Sequence, residues 1–323
     1  MQRALALDPR TYERHPIHGD ARIWAETNCY VDLWIELLHA LGCDPVAALP
    51  FTVAIDFEGD QWTFFKFPLN DLFDLYGLDV QELQLWRQLP SHIEEQVGRG
   101  RPVLVELDSY FLPDTAGTAY KCAHVKTTVA AVEIDTERRH LGYFHGQGFH
   151  HLDGDDFADA LRMREPKDPS ALPPYAEFVK VRNTRRADAD LLPTSLDLLR
   201  KHLRLAPSTN PFNGFRARFT TDLPRLLTED LEQFHQYSFA TLRQYGACYE
   251  LTATYLDWLI AHGEPVREAR DAFQSLSERT KTFQFQLARA MARGKPLDLS
   301  TLDEVACLWE QGVSSLTAQY LET

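Results

Sequence analysis

Two residues of this chain stand where a nucleophile and its base would stand. Cys29 opens the run Cys29-Tyr-Val-Asp-Leu-Trp-Ile-Glu-Leu-Leu-His-Ala-Leu41, and His124 opens the run His124-Val-Lys-Thr-Thr-Val-Ala-Ala-Val-Glu-Ile134. In the first run, Tyr30, Leu33, Trp34, Leu37, Leu38 and Leu41 follow the i, i+3, i+4, i+7 spacing of an amphipathic helix. Asn28 or Thr27 can cap that helix and Gly42 ends it. Cys29 then lies in the first turn, where free N–H groups and the positive end of the helix dipole favour a thiolate. The second run is rich in Val and Thr and reads as a strand. An imidazole at the mouth of a strand is held rigidly and can face the start of a helix. Taken singly, each has a plainer reading: a buried filler for Cys29, a structural histidine for His124.

A thiol–imidazole pair needs a group to orient the ring and donors to stabilise an oxyanion. The orienting group is expected on the strand after His124, Leu141-Gly-Tyr-Phe-His145-Gly-Gln147, which offers no Asp or Asn there. His145 or Gln147 could serve instead. Asp108, at the end of the preceding strand, is a further candidate; its alternative role is to cap the loop Ser109 to Pro113. The backbone N–H of Cys29, with Asn28, is the candidate oxyanion site. Trp24, Glu26 and Tyr110 are candidate cleft residues. A cysteine on a helix N-terminus, followed much later by a histidine opening a sheet strand, is the chain order of papain-like enzymes.

The surrounding elements predict an α+β domain. Residues 1–22 read as an irregular arm and 23–182 as the domain that carries the site. Strands are expected at 51–56 and 62–66 around Glu58-Gly59-Asp60, then helices at 69–76 and 80–97. Strands follow at 102–108, 124–134 and 141–145, then a short helix at 153–161 and a closing strand at 175–181. Residues 183–211, with Arg, Asp and three prolines, read as a linker. The helical domain at 212–323 has apolar helical spacing over 223–262 and 265–291, and Ser300-Thr-Leu-Asp303 resembles a capping box. Its aromatic residues, Phe234, Tyr237, Phe239, Tyr245, Tyr249, Tyr255 and Trp258, read mostly as core, while Arg243, Gln244 and Gln284 either line the cleft or, as expected here, face water.

Composition narrows the function classes. The 323 residues suit two domains, and 44% hydrophobic with 25% charged residues can fill a core. A net charge of -14 argues against nucleic acid and against acidic membrane surfaces as main partners. The basic segments Arg182 to Arg186 and Lys201 to Arg204 read as solvated faces. No apolar run approaches the roughly 18 residues of a membrane span, and the first residues lack a signal-peptide core, so the expected location is the cytoplasm. The cysteines Cys29, Cys43, Cys122, Cys248 and Cys307 are odd in number and unclustered, against a disulfide framework or a structural zinc. His145, His150 and His151 with Asp153, Asp155 and Asp156 match no zinc spacing. Asp56, Glu58 and Asp60 lack the rest of a calcium loop. With no Walker A loop and no GxGxxG, no cofactor is implied.

The run Asp108-Ser-Tyr110-Phe-Leu-Pro113, followed by Ala123-His124-Val and a β-hairpin, resembles the N-terminal domain of the butirosin-biosynthesis acyltransferase family. The likeness spans roughly residues 20 to 181 and implies a papain-like fold. It also implies transfer of an aminoacyl group from the thioester of a phosphopantetheinylated carrier protein to a small-molecule amine. Cys29 matches that family's nucleophile and His124 its base; the acid expected after His124 is missing. The whole chain, including Asn28-Cys-Tyr-Val-Asp-Leu-Trp-Ile-Glu and Phe239-Ala-Thr-Leu-Arg-Gln-Tyr-Gly, is similar to a bacterial family known as domain of unknown function 1839, which implies no activity. Two other readings stay open: a cysteine peptidase or amidase with water as acceptor, and a catalytically silent papain-like scaffold.

Overall fold

The computed structural model describes residues 1–25, 28–164, 172–182, 191–293 and 296–322. The chain forms two compact units that alternate along the sequence. One contains Met1–Gly19, Asn28–Pro45 and Leu69–Asp188; the other contains Asp20–Thr27, Val46–Pro68 and Ala189–Thr323. The stretch expected as one domain over 23–182 is therefore divided, with 23–27 and 46–68 belonging to the helical unit.

The first unit is built on a sheet. Its helices are α1 (Cys29–Ala40), α2 (Leu69–Tyr76), α3 (Leu89–Gly98) and α4 (Gly154–Ala160). Its strands are β1 (Gln2–Arg3), β2 (Leu78–Glu82), β3 (Val103–Asp108), β4 (Lys126–Asp135), β5 (His140–His145), β6 (Gly148–Asp153) and β7 (Ala176–Val181). The order is β2-β7-β3-β4-β5-β6 with β1 beside β4, and all pairings are antiparallel. This is the α+β class that the sequence predicts.

Strand alternation assigns the two faces of this sheet. Val103, Val105 and Leu107 of β3, with Val129, Tyr143 and Phe178, pack on Leu89, Ile93 and Val97 of α3 and on Phe157 of α4. The intervening residues of β3 look the other way: Leu104, Glu106 and Asp108, paired with Ala130, Thr128 and Lys126 of β4. Glu177 of β7, opposite Leu104, shares this second face. α1 packs against β4, β5 and β6, and its Tyr30 hydroxyl donates to Glu177 Oε2 at 3.2 Å. The helix that begins with Cys29 thus covers the face that carries Asp108.

The N-terminal arm is tied to α1. The His18 imidazole is buried between two carboxylates one helical turn apart, with Nε2 3.2 Å from Asp32 Oδ1 and Nδ1 hydrogen-bonded to Glu36. The Tyr12 hydroxyl also donates to Glu36, at 2.6 Å.

Several local expectations are corrected. Residues 51–56 and 62–66 are not strands: Pro45–Ala54 is a 3-10 helix, and only a single bridge joins Phe57 and Trp62. Phe51, Trp62 and Phe65 are core of the helical unit, with Trp62 5.0 Å from Phe212 and 4.9 Å from Tyr245, ring centre to ring centre. The helix expected over 80–97 starts only at Leu89, because 78–82 pairs with β7. The next segment is held by His92 of α3, whose Nε2 accepts the N–H groups of Trp86 and Arg87 at 3.2 and 3.0 Å.

That contact requires a neutral ring. Burial, and then the nearby Arg87 charge, lower the His92 pKa from 6.5. The folded state therefore binds fewer protons than the unfolded state as pH falls through about 6.5, so stability is lost on acidification. Urea unfolding at pH 7.5 and pH 5 should show this loss. His92→Gln, which keeps an acceptor but does not titrate, should lose less between the two pH values. An equal loss in both proteins would remove His92 as the cause.

The helical unit contains α5 (Leu191–Leu205), α6 (Pro211–Leu226), α7 (Leu231–Ala240), α8 (Leu242–Ala261), α9 (Arg267–Arg293) and α10 (Ser300–Tyr320). α5 occupies most of the segment expected as a linker, anchored by Ser195 Oγ donating to Ala47 O at 2.8 Å; residues 183–190 of that linker lie outside the described residues. Ser300 does not cap α10. Instead Asp298 accepts from its N–H at 2.9 Å and its hydroxyl at 2.8 Å. Gln244, expected at the surface, is buried. Among the described residues no helix is long and apolar enough to cross a membrane.

Trp24 is fully buried in this unit. Its indole N–H donates to Ser277 Oγ at 2.9 Å, and Ser277 donates to Gly246 O at 2.8 Å. A Cβ on Gly246 would strike the indole ring. Gly246→Ala sets an overpacking cost of about 1–3 kcal/mol against about 1 kcal/mol gained in helix propensity. The expected result is a lower urea midpoint; an unchanged or higher one would mean that Trp24 moves aside freely.

Candidate thiol–imidazole site

Asp108 closes β3 and faces Lys126, the first residue of β4. Its two carboxylate oxygens do different work. Oδ1 accepts the N–H of Tyr110 at 3.0 Å and caps the turn Ser109–Phe111. Oδ2 lies 2.6 Å from His124 Nδ1. A carboxylate only accepts, so Nδ1 carries the hydrogen, and in the neutral ring Nε2 is the nitrogen with the lone pair. Among the described residues His124 Nε2 has no protein partner. The imidazole is largely exposed, with 69% of its side-chain surface accessible, and it stacks on Tyr110 at 4.4 Å with 12° between the planes. Lys121 braces the stack: its ammonium lies 5.4 Å from the Tyr110 ring and 5.0 Å from the Phe111 ring, and pairs with Asp156 at 2.5 Å. Asp108 is therefore the carboxylate that contacts the His124 ring, and Tyr110 is the ring stacked on it.

Cys29 is the first residue of α1 and is half-exposed. Asn28 precedes it and is buried, its side-chain oxygen accepting the N–H groups of Tyr30 and Val31, each at 3.1 Å. Asn28 is thus a helix cap that fixes where Cys29 begins. From the next residue, a hydrogen-bonded chain runs across the sheet face. Tyr30 donates to one oxygen of buried Glu177, and Tyr175 donates to the other at 2.7 Å. Burial, reinforced by Glu177, raises the pKa of both phenols, so both stay protonated donors. Tyr175 in turn lines a groove of about 340 Å³ together with Glu106, Asp108, His124 and Lys126. Asp108 and the helix that starts at Cys29 share one face of the sheet. Tyr30, Tyr175 and Glu177 escape a reading of the sequence, although Tyr175 immediately precedes β7 and stands two residues from Glu177.

The family comparison covers nearly the whole chain. The DUF1839 N-terminal domain matches residues 13–181 and the DUF1839 C-terminal domain matches residues 188–318. The chain belongs to the DUF1839 family. Comparison with curated proteins gives no match. In this DUF1839 protein, Cys29, Asp108 and His124 all lie within the N-terminal domain match.

The remaining candidates lie elsewhere. His145 is on the opposite sheet face: Nδ1 pairs with Asp114 at 2.5 Å and Nε2 with Thr127 Oγ1 at 2.8 Å, where Thr127 is paired with core residue Leu107. Burial would raise the Asp114 pKa, but the His145 and Tyr143 contacts outweigh it and hold the carboxyl below its usual range. His145 thus serves this separate network and does not orient His124. Gln147, at the β5–β6 turn, accepts from Arg14 at 3.3 Å. Trp24, proposed as a cleft residue, is core of the helical unit. Glu26 lies outside the described residues.

Proposed function

We propose that this DUF1839 protein is a cysteine-dependent acyltransferase. The observation that carries this reading is the 2.6 Å contact between His124 Nδ1 and Asp108, on the sheet face covered by the helix that Cys29 opens. Nε2 takes the Cys29 proton, and the thiolate attacks a thioester carbonyl. The tetrahedral oxyanion is met by the N–H of Cys29 in the first helical turn, which has no partner among the described residues. Its collapse breaks the carbon–sulfur bond to the donor, and the imidazolium returns a proton to the departing thiolate. An amine then attacks the acyl-enzyme, with His124 taking its proton, and Cys29 is freed. Asp108 holds the ring in one tautomer and stabilises the imidazolium.

The likeness to the butirosin-biosynthesis acyltransferases supports an aminoacyl group on a phosphopantetheinylated carrier protein as donor and a small-molecule amine as acceptor. The cysteines form no disulfide among the described residues, which suits a reducing compartment, so we place the reaction in the cytoplasm. A hydrolytic variant is the second reading. It is favoured by the exposure of His124, which gives water access to the acyl-enzyme.

An aminoacyl N-acetylcysteamine thioester, incubated with the protein with and without added primary amines, separates the two. Transfer predicts amide product that grows with amine concentration. Release of free amino acid at a rate indifferent to amine would leave the hydrolase. No acylation of Cys29 by mass spectrometry would end both.

A further inference from the structure

A second, larger groove adjoins the first. It has about 770 Å³ and is lined by Leu85, Trp86, Leu89, Phe111 and Leu161, with arginines at its rim. Arg162, Pro173 and Pro174 line both grooves, so the two adjoin. A volume of this order suits a small organic molecule. Trp86 is 78% exposed, a large apolar surface left in water beside an apolar wall.

Three arginines and Asp159 line this groove. Arg164 is neutralised by Asp155 and by Asp159 at 2.9 Å. Arg162 donates to a neutral acceptor, Leu172 O, at 2.6 Å. Arg87 lies over the Trp86 ring at 5.1 Å. Among the described residues no carboxylate pairs with Arg87 or Arg162. Two guanidinium groups with no carboxylate partner among the described residues, beside an apolar trough, in a chain of net charge -14, select for an anion attached to an apolar body.

We propose that this groove binds a small amphiphilic anion, its aryl or alkyl part against Trp86, Leu85 and Phe111 and its carboxylate or phosphate between Arg87 and Arg162. The binding claim stands by itself; the role of the groove as the specificity half of the substrate site rests on the acyl-transfer reading of Cys29 and His124.

The test is calorimetric titration of the full chain with 4-phenylbutyrate, 4-phenylbutyl phosphate and 4-phenylbutan-1-ol. At least one anion should bind about tenfold or more tightly than the alcohol, the scale of a charge-assisted hydrogen bond. Phosphate-selective binding assigns the anion to a phosphate ester, carboxylate-selective binding to an organic acid. Arg87→Gln with Arg162→Gln should reduce anion binding to the level of the alcohol, and Trp86→Ala should weaken all three probes. The proposal is overturned if the alcohol binds as tightly as both anions, if none binds, or if the folded double variant binds as the native chain does. Cys29→Ala should leave all three affinities unchanged. Anion binding that persists in a protein whose Cys29 never acylates would thus sink the acyltransferase and spare the groove.

Discussion

Cys29→Ala is expected to lower kcat/KM for an aminoacyl N-acetylcysteamine thioester by about 10⁴-fold or more, with the thermal midpoint almost unmoved. The first effect follows from losing the only atom that forms the acyl bond in this mechanism. The second follows from location: Cys29 is half-exposed at a helix start whose capping is done by Asn28. The informative control is Cys122. It is exposed, two residues from His124, with Sγ directed to Thr118 O at 3.5 Å. It is the rival thiol nearest in sequence to the base. Cys122→Ala should retain native turnover. If instead Cys122→Ala is inactive and Cys29→Ala is not, the wrong thiol has been assigned.

Asp108→Asn is expected to lower kcat by about 10²–10⁴-fold with KM little changed. Asparagine has one oxygen where aspartate has two. That oxygen can still accept the Tyr110 N–H and keep the Ser109–Phe111 turn, which leaves the amide NH₂ facing His124 Nδ1. A donor there forces the hydrogen onto Nε2, so the ring can no longer take the thiol proton. It also removes the negative charge that stabilises the imidazolium. Steady-state kinetics and the ring-nitrogen shifts of His124 check both parts. Native kcat in a folded Asp108→Asn protein would reduce Asp108 to a turn cap.

The parts of this site written in local sequence were legible; the parts written in strand register were not. The α1 helix follows from apolar spacing, and its cap from Asn28. The two roles considered for Asp108, turn cap and orienting acid, looked like alternatives in the sequence. The structure shows both contacts, one made by each oxygen. His145 looked suitable because it lies on the strand after His124, but pairing places it beside Thr127, on the face away from Asp108. A one-residue change of register exchanges the faces of a strand, and no single sequence states the register. The Tyr30–Glu177–Tyr175 chain joins residues 147 positions apart and depends on β7 lying next to β3. Residues 51–66 were misread for a related reason. Short apolar runs between turn residues fit a strand or a buried irregular segment equally well, and packing on Phe212 and Tyr245 decided it. Trp24, near Cys29 in sequence, was drawn instead into the core around Ser277.

The most direct test of the account is the order in which the cysteines react. Brief exposure to iodoacetamide at pH 7, followed by peptide mapping, should modify Cys29 ahead of Cys122 and Cys307, although those two are the more exposed. His124→Gln should slow Cys29 to their rate. Rapid modification of Cys122 with Cys29 untouched, or a Cys29 rate indifferent to the loss of His124, would contradict the pairing on which the proposed chemistry depends.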